Sequence, residues 1–146
     1  MMGPGGIRRI VCVGNRLLPT DDAGPRVYDL LSRRALPAGV EIVDGGLSGL
    51  DLLRCVEGAE RVVFVDSVQG FARPGEIVTL EAEDLSRHEA PEYGHSDGLA
   101  YLLNALPAVC EGKVPELALV GVEGAADGRG LRAMADASVR LATRTD

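Results

Sequence analysis

Short apolar runs alternate with stretches of helical period along the whole chain. Ile10 to Val13, Val40 to Val43, Val62 to Val65, Ile77 to Leu80 and Leu117 to Val122 read as strands. The third run has no polar interruption, the pattern of a strand buried on both faces, and is expected to stop at Asp66. Between these runs lie helical signals. Pro25 suits the first position of a helix in which Val27, Leu30 and Leu31 share one face. Ser48 and Asp51 resemble a capping box ahead of Leu52, Leu53 and Val56. After an irregular polar stretch from Glu81 to Gly94, Leu99, Leu102, Leu103 and Leu106 predict a helix from about Ser96. Leu131, Met134, Ala135 and Val139 predict the last one.

This alternation predicts an α/β fold, a mostly parallel five-stranded sheet with helices on both faces, in one domain over residues 1–146. Ligands of such sheets sit beyond the carboxyl ends of the strands. Gly14-Asn15 follows the first strand, Asp44 the second, Asp66 the third and Glu123 the fifth. His95, just ahead of the helix feeding strand five, is expected at the same edge. Five segments therefore converge on one rim.

Composition narrows the partners. The chain has a net charge of −7, one lysine (Lys113) and scattered arginines, which disfavours a nucleic-acid backbone and suits a cation better. Cys12, Cys55 and Cys110 form neither a CxxC pair nor an even set, so no disulfide framework or thiolate zinc cage is expected. Residues 1–6 read as a loose tail and not as a signal peptide, and no apolar run is long enough to span a membrane. The expected location is the cytoplasm and the expected state a monomer without a membrane partner.

Two aspartates and a histidine can supply oxygen and nitrogen ligands to nickel, zinc or iron(II) while leaving coordination positions open. Asp21, Asp22, Asp66 and His95 are the candidates, and each has a plainer alternative. An Asp-Asp pair before a helix commonly caps it, Asp66 could simply end a strand, and a lone histidine is more often structural. His88 is expected at the surface. Without GxGxxG or GxxxxGK[ST], no nucleotide cradle is expected, and there is no GxSxG nucleophile elbow. A phospho-receiver layout shares the acidic pair and Asp66, but it needs a lysine after strand five, where this chain has Glu123.

Five segments in order carry a wider resemblance: VGNRLLPTDDAGPRV (13–27), DGGLSGLDLL (44–53), VVFVDSV (62–68), HSDGLAYLLNAL (95–106) and LALVGVE (117–123). From about Ile7 to Leu141 the chain resembles the maturation endopeptidases of nickel–iron hydrogenases. The resemblance implies an α/β/α sandwich with Asp21, Asp66 and His95 as a metal-binding trio, and with Asn15 and Asp44 as accessory residues. Spacing forward from Gly14-Asn15 and back from Gly24-Pro25 both select Asp21 over Asp22. Thr20 departs from the acid that family members carry there, and GVEGAADGRGLRAM after strand five lacks their proline-containing stretch.

Proteins of this kind remove a C-terminal extension from the hydrogenase large-subunit precursor once nickel is inserted. The nickel then belongs to the precursor, whose cysteines hold it, and it docks against the trio. Asp21 or Asp66 is the expected general base toward water. The alternative is a non-catalytic module that senses nickel or the precursor tail without cutting, and a receiver-like signalling domain stands third.

Overall fold

The computed structural model describes residues 6–46, 52–81 and 115–144. The elements run β1 (Ile7–Val13), α1 (Ala23–Leu31), β2 (Val40–Gly46), α2 (Leu52–Val56), β3 (Ala59–Val68), β4 (Ile77–Glu81), β5 (Glu116–Glu123) and α3 (Gly128–Thr143). The strands form one sheet in the order β2-β1-β3-β5-β4. All pairings are parallel except β4 with β5, which is antiparallel. The expected α/β architecture is therefore present, with β4 reversed along one edge. The proposed helix from Ser96, the Ser48–Asp51 capping box and residues His88 and His95 lie outside the described residues.

Strand alternation divides the core into two layers. Ile10, Cys12, Val63, Val65, Val120 and Val122 meet Val27 and Leu31 of α1 and Leu131, Met134 and Leu141 of α3. On the other face Val11, Val13, Val62, Phe64, Val68 and Leu119 pack with Val56 of α2. Central β3 is buried along almost its whole length, as its uninterrupted apolar run predicts.

Several boundaries differ from the sequence reading. β3 continues through Asp66 to Val68, because β5 runs beside it and pairs Asp66 with Gly121 and Val68 with Glu123. β2 likewise includes Asp44 instead of stopping before it. Pro25 is the third residue of α1 rather than the first, since the Asp22 carbonyl already accepts the Arg26 N–H at 3.1 Å. Asp22 occupies the N-cap position but makes no side-chain cap bond. Its carboxylate instead lies 3.9 Å from Arg26. α3 has a true side-chain cap: Asp127 accepts the Gly130 N–H at 2.7 Å.

The edge opposite the strands' carboxyl ends is closed by ion pairs. Arg8 donates to the carbonyls of Ala142 (2.9 Å) and Arg144 (3.1 Å), satisfying the last turn of α3, and pairs with Glu60 at 2.8 Å. Arg61, 4% exposed, pairs with Glu116 directly across the β3–β5 ladder.

Candidate functional site at the carboxyl edge of the sheet

The chain leaves β1 for β2 on one side and later returns to β3 on the other, so the strand order reverses between β1 and β3. Crevices at such switch points are where doubly wound sheets bind ligands. The last β1–β3 pair is Cys12 with Val65. Asp66 is therefore the first β3 residue beyond the ladder with β1, and Asp21 lies in the loop that follows β1.

That loop is a tightly strapped structure. The Asn15 N–H donates to the Asp21 carbonyl at 2.8 Å, and the Asp21 N–H donates to the Leu18 carbonyl at 2.8 Å. The Leu18 N–H reaches the Asn15 carbonyl at 3.1 Å, and the Leu17 N–H reaches Asn15 Oδ1 at 2.9 Å, an Asx turn. Two glycines let the strap lie against the fold. A Cβ on Gly14, which has φ +151°, would strike the Asp21 carbonyl oxygen, and one on Gly24 would strike that of Val13. Both backbone polar groups of Asp21 are thus committed within the strap. Its side chain is half-buried, with Oδ1 shielded from solvent.

Asp66 is 1% exposed, an unusual burial for a carboxylate. Alternation along β3 puts it on the face of Val62, Phe64 and Val68. Its Oδ1 accepts the Ser67 N–H at 2.7 Å, and its ladder partner Gly121 contributes no side chain to that face.

The remaining rim acids have other attachments. Asp44 is exposed; its Oδ1 accepts the Gly46 N–H at 3.1 Å and its Oδ2 lies 3.9 Å from Arg16. Arg16 makes a two-pronged contact with Asp29 at 2.9 and 3.0 Å, pinning the strap to α1. That hydrogen-bonded guanidinium holds the Asp29 carboxyl below its ordinary value, and Asp29 raises Arg16 in turn. Burial pushes the Cys12 thiol well above its usual range, with the charges of Asp44 and Asp29 adding to the shift.

Glu123 serves the loop after β3 rather than the rim. Its carboxylate accepts the backbone N–H groups of Gly70 (2.9 Å), Phe71 (2.9 Å) and Ala72 (3.1 Å), so one side chain organises the crossing toward β4. Sequence reading missed this role and that of Arg16. The signal for Glu123 was weak, because an acid at a strand end looks the same whether it faces a ligand or a neighbouring loop. For Arg16 the available signal was an isolated basic residue in a loop that otherwise carries acids.

Asp21, Asn15, Asp44 and Asp66 all stand at the carboxyl edge, Asp21 and Asn15 within one strap and Asp66 at the switch point beside it. Among the described residues no three His, Cys, Asp or Glu side chains converge as a metal cluster. His95, the third member of the expected trio, lies outside them. No helix among the described residues is long and apolar enough to cross a membrane.

The family model described as hydrogenase maturation protease matches residues 25–140, a span that contains Asp66 and His95 and begins just past Asp21. The hydrogenase 2 maturation protease of Escherichia coli K12 is 33% identical over 117 residues, covering 77% of this chain and 70% of that protein. The hydrogenase expression/formation protein HupD of Rhodobacter capsulatus is 35% identical over 77 residues, 52% of this chain; the match spans only 37% of that relative's length. Among solved structures, the hydrogenase maturating endopeptidase HybD from E. coli superposes with a TM-score of 0.67 at 28% identity, covering 91% of this chain and 87% of that one.

Proposed function

This chain belongs to the hydrogenase maturation protease family, and we propose that it is an endopeptidase acting on a nickel–iron hydrogenase large-subunit precursor. It removes the precursor's C-terminal extension after nickel insertion, and the nickel held by the precursor is the recognition element. The observation that carries this reading is Asp66. A carboxylate with 1% exposure, set at the switch point of the sheet, is a costly feature for a purely structural role. Its position suits a group that must meet a cation or take a proton from water.

Asp21, Asp66 and His95 form the proposed contact with the substrate's nickel, with Asn15 fixing the strap behind Asp21 and Asp44 at the rim. Carboxylate oxygens and an imidazole nitrogen are donors that nickel accepts, and three of them leave room for the precursor's own ligands. Asp21 and Asp66 are the candidate bases. The strap hydrogen bonds hold Asp21 in place before substrate arrives, and burial keeps bulk water from screening Asp66.

The receiver-like alternative loses ground on two counts. The edge strand β4 is antiparallel, whereas a receiver sheet is wound from parallel strands alone. Glu123 also stands where a receiver needs its lysine, and it is bound to residues 70–72.

The test uses purified protein with nickel-loaded and nickel-free precursor, followed by intact-mass spectrometry. The expected result is a C-terminal mass loss in the loaded sample alone, abolished by Asp66→Ala. Mass loss from both samples would remove nickel from the recognition step. Binding without mass loss would leave the non-catalytic sensing module, and processing by the Asp66→Ala variant would refute the role of that residue.

A further inference from the structure

The strap that carries Asp21 also presents the two most exposed large apolar side chains among the described residues. Leu17 is 87% exposed and Leu18 49%. Single exposed leucines are ordinary. Adjacent ones on a braced loop beside the switch point of the sheet are not, because neither joins the apolar core formed by the described residues.

The bracing is extensive. The Leu17 and Leu18 N–H groups are both bonded to Asn15, and the Leu18 carbonyl is bonded to Asp21. Arg16 ties the near end of the loop to Asp29, and Pro19 restricts the backbone immediately after the leucines. The leucines are thus displayed on a frame already ordered before a partner arrives, the condition under which apolar contact converts most fully into affinity.

The chemistry of the patch selects its partner. Leu17, Leu18, Pro19 and Thr20 are consecutive, exposed and uncharged in a chain of which 25% is charged. The flanking charge of Arg16 is already matched by Asp29. Such a surface fits an apolar segment, not a charged one. The strap closes on Asp21 at the carboxyl edge of the sheet, so a polypeptide that reaches that edge is bordered by it.

We propose that Leu17 and Leu18 form a preorganised apolar docking point for the large-subunit precursor, gripping an apolar surface that borders the segment to be cut. This rests on the endopeptidase reading, and it adds the means by which the precursor is held independently of its nickel.

The test compares wild type, the double variant Leu17→Ser/Leu18→Ser, and Leu17→Met/Leu18→Met for binding to nickel-loaded precursor by calorimetry, with processing followed by mass spectrometry. The serine pair should weaken binding at least ten-fold, or about 1.4 kcal/mol, with an unchanged thermal midpoint because both side chains face solvent. The methionine pair, apolar and of similar size, should bind within three-fold of wild type. If wild type cuts and the serine pair binds and cuts equally well, the docking point is refuted while the endopeptidase reading stands. If wild type neither binds nor cuts the precursor, both fall together.

Discussion

At Gly24 a single added carbon does harm, since a Cβ there would overlap the carbonyl oxygen of Val13. Gly24→Ala should force α1 away from β1 and destabilise the protein by about 3 kcal/mol, seen as a lowered urea midpoint. Cys12 offers an opposite kind of check. It is fully buried and its thiol is pushed up, so it should resist iodoacetamide in the folded protein and react only after denaturation, as read by peptide mass mapping. Asp21 and Asp22 show how far single residues are legible in sequence. The family resemblance, through spacing from the flanking Gly-Asn and Gly-Pro pairs, separated them, and the structure gives them different surroundings: Asp21 is tied into the strap, while Asp22 stands at the helix start near Arg26. That Asp22 caps α1 by position alone was not legible, because a cap bond depends on backbone angles that residue type does not specify.

The strap is an element in its own right, and its attachment to α1 depends on pH. Asp29 is held below the ordinary aspartate value of 3.8 by its hydrogen bonds from Arg16. A carboxylate whose folded value is depressed stabilises the fold fully above its unfolded value and loses that contribution as pH falls through the folded one. Amide-exchange protection at Leu17 and Leu18 should therefore stay level from neutral pH down to about 4 and fall below it. In Asp29→Asn the protection should be low throughout. The β3–β4 crossing has its own clasp. Glu123→Ala removes the acceptor for the N–H groups of Gly70, Phe71 and Ala72, and should raise their exchange rates and cost about 1–3 kcal/mol in a urea titration. Neither attachment was readable from the chain, because each joins residues distant in sequence through side chains whose types are common on any surface.

At the scale of the whole molecule, β1, β3 and β5 lie inside the sheet while β2 and β4 form its edges. Hydrogen exchange should be slowest at Val11, Val63 and Val120, with edge-strand amides at Ile42 and Thr79 exchanging first. The five strands were visible because buried parallel strands are written as short apolar runs, and Val62 to Val65 is the clearest. The reversal of β4 was not visible, since strand direction depends on the path of the connection and not on the residues within the strand. The placing of Gly14-Asn15 and Asp66 at one edge followed from topology, whereas Asp21 was singled out by the family resemblance. Asp44 lies near the end of β2, and its exposure and its proximity to Arg16 required coordinates.

The interlock of Gly14, Asn15, Asp21 and Gly24, with Arg16 clasped to Asp29, leaves residues 17–20 exposed, every one of them. The loop therefore divides into a chassis that selection must preserve and a face that it can rewrite. Substitutions on that face leave the core untouched, so under the proposed docking role new precursor preferences arise there without loss of foldability. Under that role, exchanging these few positions between relatives is a compact way to graft one substrate range onto another scaffold.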